Sequence, residues 1–92
     1  MSSYIISYDL VGQKDYKKLS DAIHALGKVA RVHESVWVTS VNESDFGSKE
    51  ITEKLSSFID SDDRLFVAKL TGQAAWTGGA IDTADKIKDT LK

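Results

Sequence analysis

The chain has no cysteine, which excludes disulfides, thiolate metal sites and a cysteine nucleophile. That absence fits a reducing cytoplasm. Long apolar runs are missing too. Nothing approaches the roughly 18 residues a bilayer span needs, and the start MSSYIISYDL lacks a basic signal-peptide stretch. A soluble cytoplasmic protein without a membrane partner is the expectation. Histidine is scarce: His24 and His33 stand nine residues apart, and without cysteine they leave a zinc site incomplete. Nor is there a positive excess. The formal net charge of −2 argues against binding nucleic acid through bulk charge.

What is present suits one small domain: 92 residues, 41% of them apolar and 28% charged. Residues 1–40 carry five Lys/Arg against four acids, and residues 41–92 carry seven against ten. A phosphate-facing surface is therefore expected from the first half, with Lys14, Lys17 and Arg31 as candidates beside Lys18 and Lys28. The plain alternative for these cations is a solvated surface.

Periodicity orders the elements. YIISYDL, residues 4–10, alternates Tyr4, Ile6, Tyr8 and Leu10 with Ile5, Ser7 and Asp9, the pattern of a strand. Asp15 then suits a helix N-cap, followed by Tyr16, Leu19, Ile23 and Leu26 at helical spacing, with Gly27 closing the helix. KVARVHESVWVTSV, residues 28–41, reads as two strands around a tight turn or bulge at His33-Glu34-Ser35. Ser48 suits the cap of a second helix with Ile51, Leu55, Phe58 and Ile59 as its stripe, and RLFVAKL, residues 64–70, is a last strand. The order β-α-β-β-α-β predicts an α+β ferredoxin-like fold, with an antiparallel sheet, both helices on one face and the other face open. Residues 1–71 form that domain. Residues 72–92 form a C-terminal extension with a docked segment around Trp76 and a short helix bearing Ile81, Ala84, Ile87 and Leu91.

An open sheet face on so small a domain predicts a homodimer. Asp9, at the end of the first strand, has two readings. It shapes the turn by accepting backbone N–H bonds, or it ligates Mg²⁺ or Mn²⁺, hard cations that take carboxylate oxygens. One carboxylate per chain is thin for a metal site, and two facing each other across a dimer axis are adequate. Trp37 and Trp76 read as packing or dimer-contact residues. Asp60, Asp62 and Asp63 lack the Gly and Glu of a calcium loop, whose places hold Leu65 and Thr71, and read as a solvated turn.

Tyr8-Asp9 closing the first strand, a helix ending at Gly27, and then Arg31-Val32-His33-Glu34-Ser35-Val36-Trp37 together resemble the CRISPR-associated endonuclease family that partners the spacer integrase. That family shows a strand ending in YD and a later R-V-Q-x-S-V-F segment; here His replaces Gln and Trp replaces Phe. The likeness covers residues 4–70. Gly72-Gln73-Ala74-Ala75-Trp76 is similar to the ending of short stand-alone SinR-like relatives, and VapD-like toxin ribonucleases share the fold. The resemblance implies association with RNA or DNA, and a metal-dependent phosphodiesterase with Asp9 as metal ligand and catalytic residue. Many members hold DNA as structural dimers without cleaving it. The alternative is accordingly a non-catalytic dimeric interaction module.

Overall fold

The alternation of residues 4–10 is realised at the centre of the sheet in a computed structural model, which describes residues 2–10, 16–41, 47–71, 75 and 81–91. Strand β1 (Ser2–Asp9) is followed by α1 (Tyr16–His24), β2 (Lys28–His33), β3 (Val36–Val41), α2 (Ser48–Ser56), β4 (Arg64–Lys69) and α3 (Ala84–Leu91). The strands lie in the order β2-β3-β1-β4 and every pairing is antiparallel. This is the α+β, ferredoxin-like arrangement predicted from the element order. The 28–41 segment is two strands joined by a turn at Glu34-Ser35, and it has a bulge as well, between Arg31 and His33.

One face of β1 makes the main core. Tyr4, Ile6 and Tyr8 are buried with Leu19, Ala22, Ile23 and Leu26 of the first helical segment and with Ile51 and Leu55 of α2. Four of these helix side chains, Leu19, Ile23, Ile51 and Leu55, have no exposed surface. Each contributes about 1.5–3 kcal/mol by leaving water. Gly27 ends the α1 turn at φ +151°, a backbone shape that favours glycine.

Three local expectations are corrected. Ser48 is the first residue of α2 and not its cap; Gly47 holds that position without a side-chain cap bond, and the Ser48 carbonyl accepts from Thr52 Oγ1 at 2.8 Å. Phe58 leaves the apolar stripe and is 45% exposed, because α2 ends at Ser56 and the helical phase is lost there. The second sheet face is not wholly open. Helix α3 lies on its β2–β3 side, where Ile87 is buried with Ala30 and Val38 and flanked by Val32, Leu70 and Leu91. Amphipathic spacing foretold the helix and could not say which surface it would cover. Asp15 lies outside the described residues.

The approach to α3 also closes one sheet edge. Ile81 and Asp82 donate backbone N–H bonds to the carbonyls of Val32 and Arg31 at 3.0 and 2.9 Å, and Arg31 N–H donates to Asp82 Oδ2 at 2.6 Å. Lys28 and Asp89 pair at 3.0 Å with both side chains half exposed, so that contact adds little.

A Cβ at Gly27 would stand 2.9 Å from the Ser40 carbonyl oxygen, which is backbone and cannot swing aside. Gly27→Ala is therefore expected to lower stability by about 1–3 kcal/mol, through positive φ and this contact together. Urea denaturation followed by circular dichroism measures it, and an unchanged midpoint would show that the turn relaxes freely.

Candidate metal and nucleic-acid site

Side-chain alternation sends Asp9 to the face opposite the main core. Tyr8 turns inward and is buried, whereas Asp9 is exposed at the strand's end. Its register partner on β4 is Arg64, and two pairs further in, on the same face, Ser7 faces Phe66. These residues, with Tyr8 and Leu65, line a recess of about 150 Å³. The sequence reading missed Arg64 and Phe66. Their signal was the alternation in RLFVAK, but only the β1–β4 register brings that row beside Asp9.

Arg31, one of the cations proposed for phosphate, does not lie there. Arg31 opposes Trp37 on the core face, the other side of the sheet from Asp9. Its guanidinium carbon stands 5.2 Å from the centre of the Trp37 ring, and its Nε and Nη2 donate to the Glu34 carbonyl at 3.2 and 2.5 Å. Much of its hydrogen-bonding capacity is thus turned inward, to hold the β2–β3 turn. Lys17 is exposed on α1 and pairs with Asp21 at 3.0 Å. Lys14 lies outside the described residues, as does Trp76.

Trp37 is 3% exposed within a single chain. Its indole Nε1 donates to Tyr8 Oη at 3.1 Å, and Tyr8 Oη donates to the Glu34 carbonyl at 3.4 Å. His24 stands edge-on to the same ring at 5.1 Å. Backbone joins the two as well, Tyr8 N–H donating to the Ser35 carbonyl at 3.1 Å. This cluster fixes the β1 end that carries Asp9, from the side opposite to Asp9 itself.

Two other features share the surface. Beside α3 a larger apolar groove of about 350 Å³ runs along Ile5, Val32, Val36, Val38, Leu70 and Leu91. At the turn before β4, Asp60, Asp62 and Asp63 offer carboxylate oxygens within 4.8 Å of one another, and Asp63 Oδ2 accepts the Asp60 N–H at 2.7 Å. That bond accounts for Asp63 as a turn former. Among the described residues no helix is long and apolar enough to cross a membrane.

An antiparallel sheet in this strand order, with two helices on one face and a carboxylate ending the first strand on the other, defines a ferredoxin-like α+β domain. A family model described as CRISPR associated protein Cas2 matches residues 1–77, and the chain belongs to that family. Among solved structures, a hypothetical protein, TT1823 from Thermus thermophilus, is similar in fold, with a TM-score of 0.68 and 21% identity over 86% of this chain and 93% of that one.

The Tyr8–Trp37 bond yields a test of how firmly the site end is held. Tyr8→Phe removes the acceptor of a buried indole N–H, so a loss of about 1–3 kcal/mol is expected. Thermal or urea unfolding measures this. An unchanged stability would mean the indole finds water instead.

Proposed function

We propose that the chain is a nucleic-acid-associated homodimer acting as a metal-dependent phosphodiesterase, with Asp9 of each copy supplying a carboxylate to a shared Mg²⁺ or Mn²⁺. The observation that carries this reading is the position of Asp9. It is exposed at the sheet-face end that neither the two core helices nor α3 covers, in a member of the Cas2 family. A single copy brings one carboxylate and the Ser7 hydroxyl to the recess, which fits half of a site for a hard cation that keeps several waters. A second copy docked on the apolar groove brings the other half.

Asp9 of each copy would hold the ion, and the chemistry it would supply is polarisation of a phosphoryl oxygen and a lowered pKa for a water. The chain's own part is to hold it. Asp9 supplies the charge, and the β1 pairings to β3 and β4 hold that carboxylate's strand still. A chain without cysteine suits the cytoplasm for this work. One observation favours a second reading, a non-catalytic dimeric interaction module. In the β1–β4 register Arg64 is the residue opposite Asp9, so a cationic residue already neighbours the carboxylate a metal would need.

Two measurements separate these. Light scattering at micromolar concentration is expected to give twice the chain mass, and a monomer removes the shared site. Cleavage of labelled RNA and DNA with Mn²⁺ is expected to fall by orders of magnitude in Asp9→Asn while circular dichroism is unchanged. A wild type that cleaves neither leaves the non-catalytic module.

A further inference from the structure

The bulge in β2 turns two consecutive side chains to one face. Ala30 pairs with Val38 and Arg31 with Trp37, and the register then passes over Val32, so that His33 pairs with Val36. Directly opposed residues of antiparallel strands share a face. Val36 and Val38 belong to the outer face, and Val32 and His33 both line the apolar groove there. An unbroken alternation would have sent His33 to the core side with Arg31.

The surroundings of that imidazole are apolar. Ile5 of β1, Val36 and Val38 of β3, Leu70, and Ile87 and Leu91 of α3 line the same groove. The strand registers set His33, Val36, Ser7 and Phe66 in one row, in which only His33 titrates. Asp9 and Arg64 share the outer face but stand at least two strand spacings from His33, about 10 Å. On its own segment, Arg31 turns its guanidinium to the core side and Glu34 is exposed. At the β2 edge, Asp82 accepts the Arg31 N–H and pairs with Lys86 at 3.5 Å. The other charges of α3, Asp85, Lys88 and Asp89, are exposed.

A two-fold contact sets a surface against itself, so each charge on it meets its own like. The described lining of the groove contains no Lys, Arg, Asp or Glu, which suits a second copy. His33 is the exception in waiting, because imidazole is the side chain that gains charge between pH 8 and 5. Neutral, it fits an apolar contact. Protonated, it puts a cation into each half of that contact, against desolvation and the partner's like charge.

We infer that His33 makes the contact between two copies pH-sensitive, so that the dimer holds at neutral and alkaline pH and separates as pH falls. This rests on the reading that a second copy docks on the groove. The sign follows from burial. The cation is favoured in separate copies over the dimer, so added protons draw the equilibrium toward monomer.

Sedimentation of the full chain in chelator, at constant ionic strength from about pH 8 to 5.5, measures it, with circular dichroism reporting the fold. The dimer dissociation constant is expected to rise about tenfold or more across that range. His33→Gln stays neutral and is expected to keep one constant throughout, near the alkaline value of the wild type. His33→Lys carries a permanent charge and is expected to weaken the dimer at every pH. A wild-type constant that is flat, or that falls with pH, overturns the inference. So does a rise that persists in His33→Gln. A monomer at pH 8 removes the docked copy and this switch together, whereas a stable dimer indifferent to pH removes the switch alone. Because mass and not cleavage is read, a pH-dependent dimer that cleaves nothing sustains the role of His33 without the phosphodiesterase.

Discussion

Strand β1 is hydrogen-bonded on both sides, to β3 and to β4, and its register fixes both faces of the sheet at once. Because side chains alternate with a period of two, a slip of one residue would turn Tyr4, Ile6 and Tyr8 to the outer face and Asp9 into the core. Burial forbids that slip. The three inward residues are 2%, 0% and 6% exposed, and moving them to water while burying a carboxylate would cost far more than any rearrangement could return. The outward placement of Asp9 thus follows from the apolar residues beside it, independently of any ligand.

The buried polar cluster adds direction to that register. Tyr8 and Trp37 satisfy one another, and the Glu34 carbonyl takes bonds from both Tyr8 and Arg31. Among the described residues no buried side-chain nitrogen or oxygen lacks a partner. A shifted strand would leave an indole N–H and a phenol unpaired inside the core, a penalty of about 1–3 kcal/mol for each. Arg31 is the informative member. In the sequence it is one of few cations in the first half, and its two readings are a phosphate contact and a solvated surface. In the fold its donors face the β2–β3 turn and its plane lies near an aromatic ring, a use for which a guanidinium is better suited than an ammonium.

Elements that announce themselves by local pattern were legible in the chain. The alternation in YIISYDL, the helical spacing of Leu19, Ile23 and Leu26, the glycine after α1 and the extended run ending at Val41 each name their structure. So does the position of Asp9 at a strand end. What depends on pairing between distant segments was not legible. Arg64 and Phe66 become neighbours of Asp9 and Ser7 only through a register across more than fifty residues of chain, and no local pattern encodes it. The landing place of α3 is hidden for the same reason: its stripe fits any apolar surface, and the choice of Ala30 and Val38 is made by the 81–82 pairing along the β2 edge. The start of α2 failed differently. Ser48 is a good cap by type, but Gly47 already has extended geometry, φ −100° and ψ −176°, so the helix begins one residue earlier than a serine cap would require.

Helix α3 lies beyond residue 77, where the family match ends, and it divides the outer sheet face along the strand direction. At one end Ser3 is buried beneath it, its Oγ 3.4 Å from the Thr90 carbonyl. Six residues further along β1, about 20 Å at strand spacing, Asp9 meets solvent. Between them Ile5 lies half buried beside the apolar groove. One strand therefore presents three environments in sequence: a sealed end, an apolar middle suited to contact with another surface, and a charged end.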